Sequence, residues 1–210
     1  AANSLKKGFN FVNILTPSNG VGGYCLTKDP WFLYSLGKEK NIELNTIKAG
    51  RKSNDIMPEY SSKIVLDYLK EKKINFRTSK IAILGFSFKS GSGDTRFSPV
   101  INFINYLTKS GIKNIEIFDP LVTINDRNKF DFYFNDSYEK TLSDSNCIAY
   151  MTAHDEIKKI NLEKVVKRSK KGALIFDGRR YFSQNEINYF LKNGMIYKGI
   201  GRWIKKILKV

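Results

Sequence analysis

The apolar positions of this chain change period about a third of the way along it. Up to Leu69 they recur at intervals of three and four. Trp31, Phe32, Tyr34 and Leu36 follow Pro30 and are broken at Gly37. Ile42, Leu44 and Ile47 come next, and Tyr60, Ile64, Val65, Tyr68 and Leu69 lie beyond Pro58. Such spacing gathers apolar side chains on one stripe of a helix. It predicts one helix from Pro30 and a longer one from about Ile42, with a kink or restart at Pro58, which has no N–H to donate. Ahead of these, Ala1 to Lys7 reads as the end of a helix stopped by Gly8, and Phe11 to Leu15 as a short extended run closed by Pro17. Lys70 to Ser79 is polar and reads as a linker.

From Lys80 the pattern becomes short, mainly apolar segments of five or six residues: Ile81 to Gly85, Ile115 to Pro120, Cys147 to Met151, Ala173 to Asp177 and Met195 to Gly199. Helical stretches separate them, at Ser98 to Ser110, Tyr138 to Leu142, Leu162 to Arg168 and Ser183 to Lys192. Strands alternating with helices argue for a parallel, doubly wound sheet. The expectation is therefore an α/β protein: a Rossmann-like parallel sheet with flanking helices over residues 80–210, preceded by a central helical region over residues 1–79. Sheets of this kind place their sites at the carboxyl ends of the strands. The positions just after Leu84, Met151 and Phe176 are the ones to watch.

Composition narrows the function only a little. At 210 residues the chain holds one large domain, or one with an appendage. The net charge is +16, from 36 basic and 20 acidic residues. Yet the lysines come in scattered pairs such as Lys6-Lys7, Lys72-Lys73 and Lys170-Lys171, with no alternation of basic and aromatic positions. That is the pattern of solvated faces, and a nucleic-acid-binding protein is the remote alternative. Two cysteines do not make a disulfide scaffold and fit a reducing cytosol. No apolar run is long enough to span a bilayer, and no secretory signal opens the chain. The expectation is a cytoplasmic protein with no membrane and no nucleic-acid partner. The tail from Trp203 to Val210 is short, basic and amphipathic, and is expected to pack against the sheet. His154 is the single histidine, so no multi-histidine metal site can form and no metal is expected. A lone histidine at a strand end reads as a hydrogen-bonded structural residue.

The chemistry concentrates in Gly20-Val21-Gly22-Gly23-Tyr24-Cys25-Leu26-Thr27-Lys28-Asp29-Pro30. Three glycines in four positions let the backbone approach a ligand closely. Cys25 then stands where the turn would present it, and a nearby cation such as Lys28 favours the nucleophilic thiolate. Asp29 is placed to orient a water or help move a proton. Two further loops carry cations after predicted strands. Gly85 to Arg96 is not Gly-x-Gly-x-x-Gly and offers Lys89 and Arg96 instead, so a phosphate would meet side-chain cations as well as backbone donors. Asp177-Gly178-Arg179-Arg180 puts adjacent arginines at a strand end, suited to a phosphate or carboxylate.

The cysteine loop resembles the active-site loop of the UDP-glucose/GDP-mannose dehydrogenase family, particularly members that oxidise N-acetylated UDP-sugars. Phe88-Lys89 followed by Asp94-Thr95-Arg96 resembles the family's C-terminal signature, and Asp177-Gly178-Arg179 its Asp-Gly-Arg turn. Two positions depart from the pattern: Ser18 stands where a glycine is usual, and Phe97 where a glutamate is. The resemblance implies oxidation of C6 of a UDP-sugar to a uronic acid with NAD. Cys25 would form a thiohemiacetal and then a thioester, and Asp29 would assist proton movement or position the water. Gly20, Val21, Gly22, Gly23, Phe88, Lys89 and one of Arg179 and Arg180 would bind the UDP-sugar, while Asp94 and Arg96 would hold their loop in shape. It further implies a homodimer or larger homo-oligomer through the central helix. It also leads to the expectation that the family's N-terminal dinucleotide domain is absent here, which would leave this chain inactive alone. A non-catalytic nucleotide-sugar-binding module is the alternative.

Overall fold

The computed structural model describes residues 16–202. The expected helix end at Ala1 to Lys7, the extended run Phe11 to Leu15 and the tail Trp203 to Val210 lie outside the described residues. Two helices come first, α1 (Tyr24–Glu39) and α2 (Asn45–Glu71). Six strands follow: β1 (Lys80–Leu84), β2 (Asn114–Phe118), β3 (Tyr133–Phe134), β4 (Cys147–Tyr150), β5 (Leu174–Asp177) and β6 (Ile196–Gly199). Between them run α3 (Pro99–Lys109), the short α4 (Ile124–Arg127), α5 (Tyr138–Leu142), α6 (Asp155–Lys158), α7 (Leu162–Arg168) and α8 (Gln184–Lys192).

All strand pairs are parallel and the order is β3-β2-β1-β4-β5-β6. This is the doubly wound arrangement, with the switch point between β1 and β4. Successive side chains of a strand point to opposite faces. Accordingly Ile81, Ile83, Cys147, Ala149 and Phe176 enter one core with Val65, Leu69, Phe103 and Leu107 of α2 and α3. Ala82, Leu84, Ile148, Tyr150 and Ile175 enter the other, with Leu142, Val165, Ile187 and Phe190 of α5, α7 and α8. Both faces are covered, which is why the central strands β1, β4 and β5 are buried along nearly their whole length.

Four boundaries differ from the sequence reading. First, α1 starts six residues ahead of Pro30, so Pro30 sits inside the helix, and it continues through Gly37, where a Cβ would meet the Leu44 side chain at 2.7 Å. Second, α2 is one helix of 27 residues running through Pro58 without a restart. The Ser62 hydroxyl lies 2.7 Å from the Pro58 carbonyl and 3.1 Å from that of Phe103, tying the proline turn to α3. Third, the stretch read as a linker begins as the last turn of α2. It then folds into turns in which Ile74 and Phe76 pack on the core and Ser79 is buried. Fourth, β3 is a sixth strand, only two residues long and too short to leave a pattern.

Candidate functional site

Three segments meet at the carboxyl ends of the central strands: the glycine-rich run before Cys25, the loop after β1, and the turn after β5. The Asn19 N–H donates to the Gly178 carbonyl at 2.9 Å, and the Gly23 N–H to that of Arg96 at 3.1 Å. A Cβ on Gly22 would lie 2.3 Å from the Phe97 carbonyl oxygen, and one on Gly23 2.8 Å from the Phe88 ring. These two glycines are therefore required by close approach, and at Gly23 by a φ of 83° as well. Phe97 itself, at a φ of 50°, is a strained position for a bulky residue.

Gly23 caps α1, and Cys25 falls in the first turn of the helix as an exposed free thiol. Asp29 lies one turn further on and is exposed, 4.0 Å from the Lys28 ammonium, which also rests 5.2 Å from the centre of the Phe32 ring. Arg96 stacks on the Tyr24 ring at 4.7 Å and lies within electrostatic reach of Cys25. Two side chains of α2 hold this unit. Pro30 cannot donate to the Leu26 carbonyl four residues back. The Arg51 guanidinium does so instead, at 2.9 Å, while also bonding the Asp55 carboxylate at 2.6 Å. Asn54 grips the Val21 backbone on both sides, accepting from its N–H at 2.8 Å and donating to its carbonyl at 3.3 Å. Tyr24, Lys28 and Trp31 share a groove of about 650 Å³ with Arg51, Asn54 and Phe97; neither Cys25 nor Asp29 lines it.

The loop after β1 shows what happens where a dinucleotide's pyrophosphate would sit. The Asp119 carboxylate, at the end of β2, accepts from the N–H groups of Phe86 at 2.7 Å and Ser87 at 3.0 Å. It also accepts from Leu121 and Val122. The Gly85 N–H donates to the Phe118 carbonyl and that of Phe88 to the Asp94 carbonyl. An internal carboxylate thus fills the cradle of amides that would hold a phosphate. Of the backbone donors in the loop from Gly85 to Arg96, those of residues 85–88 are occupied by protein acceptors. A dinucleotide such as NAD finds no open amide cradle at β1. Burial works to raise the Asp119 pKa, but the bonds from His154, Phe86 and Ser87 outweigh it and lower it to about 2.

His154 is fully buried against this carboxylate. Its Nε2 lies 2.8 Å from Ser87 Oγ and 3.2 Å from Asp119 Oδ2, and its Nδ1 accepts from the Gly91 N–H at 3.2 Å. Serine, histidine and aspartate are thus together, but both partners face one ring nitrogen and none is exposed. A catalytic triad needs them on opposite nitrogens. This is a structural network. Asp94 and Arg96 close the same loop through paired bonds of 2.8 and 2.9 Å from Arg96 Nε, which hold the Asp94 carboxyl below its usual range. Lys89 projects from the loop, exposed, 5.5 Å from the centre of the Phe88 ring.

At the turn after β5 the two arginines separate. Arg179 donates from Nε to the Met151 carbonyl and from a terminal nitrogen to that of Phe88, both at 2.8 Å, and burial lowers its pKa. It braces three loops. Arg180, at a φ of 54°, is exposed. Asp177 shapes the turn, accepting from the N–H groups of Arg179, Tyr181 and Phe182 and from the Tyr197 hydroxyl. The sequence reading passed over Arg51, Asn54, Asp119 and Asp177 as functional supports. Only Asp177 carried a local signal, as the first residue of Asp-Gly-Arg. The partners of the other three lie up to 33 positions away.

Among the described residues no cluster of three metal-ligating side chains occurs, and no helix is long and apolar enough to cross a membrane. Residues 2–56 match the UDP-glucose/GDP-mannose dehydrogenase family, central domain, and residues 82–184 match the UDP binding domain of that family. The UDP-N-acetyl-D-mannosamine dehydrogenase of Pyrococcus horikoshii is 34% identical over 191 residues, covering 91% of this chain and 41% of the relative. That of Methanococcus maripaludis is 34% identical over 197 residues, covering 91% and 42%. Among solved structures, the Pyrococcus horikoshii UDP-D-ManNAc dehydrogenase superposes with a TM-score of 0.74 at 31% identity, over 96% of this chain and 42% of that one. The NDP-N-acetyl-D-galactosaminuronic acid dehydrogenase of Methanosarcina mazei superposes at 0.79 and 29% identity, over the same shares. The chain spans about two fifths of the length of the curated relatives it matches.

Proposed function

Because this chain belongs to the UDP-glucose/GDP-mannose dehydrogenase family, we propose that it supplies the cysteine segment and the UDP-sugar site of a nucleotide-sugar 6-dehydrogenase acting on an N-acetylated UDP-hexosamine. The observation that carries this reading is the meeting of the Cys25 segment with the Lys89 loop and the Arg180 turn at one end of the sheet. The names of the relatives support the N-acetylated sugar.

In this reading Lys89 and Arg180 meet the diphosphate. Arg179 is left out because its guanidinium already braces Met151 and Phe88. The glycine run brings backbone close to the sugar. The Cys25 thiolate adds to the C6 aldehyde carbon, the carbonyl electron pair moves to oxygen, and protonation there gives a thiohemiacetal. The oxidations need a two-electron acceptor, and NAD supplies that chemistry by taking a hydride; none of the residues described above is assigned to it. Water then attacks the resulting thioester carbon, with Asp29 positioned to take its proton. The C–S bond breaks, returning the thiol and releasing the uronate.

Calorimetric titration of the chain with UDP tests the binding half: saturable one-to-one binding is expected, and no binding sinks it. For the chemistry, the chain is joined to the part of the Pyrococcus horikoshii relative outside the match. Cys25→Ser in that fusion should abolish aldehyde oxidation; unchanged turnover would make the chain a non-catalytic binding module.

A further inference from the structure

We propose that His154 is a positioning residue: it grips the loop after β1 on both sides of Lys89 and sets where that cation stands. The inference rests on the reading of Lys89 as a diphosphate contact. The geometry is specific. Because Nδ1 accepts the Gly91 N–H, the ring proton is on Nε2. The Ser87 hydroxyl donates to the Lys89 carbonyl at 3.2 Å, so its oxygen accepts the Nε2 proton across 2.8 Å. One grip therefore reaches the Lys89 backbone through Ser87, and the other holds Gly91 two residues beyond. Asp119 Oδ2, 3.2 Å away, faces the same Nε2 proton and steadies the ring, and the Thr152 hydroxyl donates to the Ser87 carbonyl at 2.6 Å. The histidine and the carboxylate are both fully buried, so neither touches ligand, while Lys89 between the two grips is exposed. A long exposed lysine on a glycine- and serine-rich loop loses much rotamer and backbone freedom on meeting a ligand, and a loop held at both shoulders has less to lose.

Two substitutions separate the grips. In His154→Asn the amide oxygen stands near the Nδ1 position and can keep Gly91 but not Ser87. In His154→Gln the amide nitrogen stands near Nε2 and can keep Ser87 but not Gly91. Amide hydrogen exchange on the ligand-free chain should show Gly91 losing protection in His154→Gln and keeping it in His154→Asn. Each variant should bind UDP about five- to tenfold more weakly, the worth of one hydrogen bond. In a Lys89→Ala background the same changes should cost nothing further. A role in packing alone would lower Tm and leave UDP affinity unchanged in the otherwise wild-type chain, which would overturn the proposal. So would unchanged Gly91 exchange in His154→Gln. If the wild-type chain fails to bind UDP, the reading of the site fails, and the exchange result alone decides the grip.

Discussion

Asp119 and Asp177 each sit at the carboxyl end of a strand, fully buried, and each accepts four hydrogen bonds from the turn it organises, counting backbone amides and, for Asp177, a tyrosine hydroxyl. The helix that carries Cys25 is held differently. Gly37 is its sole buried residue, and Phe32, Leu33 and Leu36 are 62, 53 and 50% exposed. Its ties to the rest of the chain include the Arg51 and Asn54 bonds, the glycine contacts and the Tyr24 packing on Arg96 and Phe97 at its amino end. At the other end Gly37 lies against Leu44. The loops at the strand ends are thus set by buried charge. The cysteine side is docked through a few contacts at its ends and keeps an apolar face uncovered. The strand-end loops are self-supporting, and the cysteine helix is placed by its neighbours.

The sharpest way to break that comparison is to remove a carboxylate from the strand-end loops. Asp119→Ala leaves four amides without their acceptor in a dry site. It should cost about 3–5 kcal/mol, read by urea denaturation, because an uncompensated buried polar cluster is among the most costly defects. A loss below about 1 kcal/mol would mean water replaces the carboxylate and the loop is not set by it.

Acid probes the same group without mutation. The folded pKa of Asp119, about 2, lies below its ordinary value of 3.8, so between these the unfolded chain binds more protons. The stabilisation is complete above the unfolded value and is lost as pH falls from about 4 toward 2. It amounts to roughly 2–3 kcal/mol, at somewhat more than about 1 kcal/mol per unit. Asp119→Asn should flatten that part of the stability profile; an unchanged slope would assign acid lability to other carboxylates.

On the docked side, Gly22→Ala drives a methyl onto the Phe97 carbonyl, a backbone atom that cannot swing aside. About 2 kcal/mol is expected, as for an overpacked contact. The useful readout is position: limited proteolysis should open the segment from Pro17 to Glu39 while the sheet stays protected. Uniform destabilisation would mean the cysteine helix and the sheet unfold as one.

What was legible in the chain follows the same division. The five longer strands and α3, α5, α7 and α8 stood out because strands with burial on both faces are mainly apolar and alternate with helical segments. By contrast β3, with two residues, and the four-residue helices α4 and α6 were too short to leave a pattern. The amino end of α1 was not legible. Its cap is Gly23, with no side-chain bond and no acidic residue in the first turn, so Pro30, which favours a first turn, looked like the beginning. Lys89 and the Arg179-Arg180 pair were visible as cations in loops after strands. That Arg179 turns inward was not, since its acceptors are carbonyls 28 and 91 positions away. Asp119 read as the polar end of an apolar strand, and nothing local says that its carboxylate fills the amides of another loop.

The smallest effect tests the most particular feature of the docked side, the carbonyl of Leu26 that Pro30 orphans and Arg51 adopts. Arg51→Met removes the donor and keeps the stem, and should weaken α1 docking by about 1 kcal/mol, the net worth of one such bond. Pro30→Ala restores a backbone N–H to the same carbonyl, so in that background Arg51→Met should cost measurably less. The coupling is the point of the cycle. Hydrogen exchange along α1, followed in the wild type, both single variants and the double variant, gives the four corners. Additive losses would show that Arg51 holds the helix through Asp55 and packing, and that the proline's missing hydrogen bond is left to solvent. A loss that shrinks with Pro30→Ala makes the two residues, 21 positions apart in the sequence, halves of one interaction.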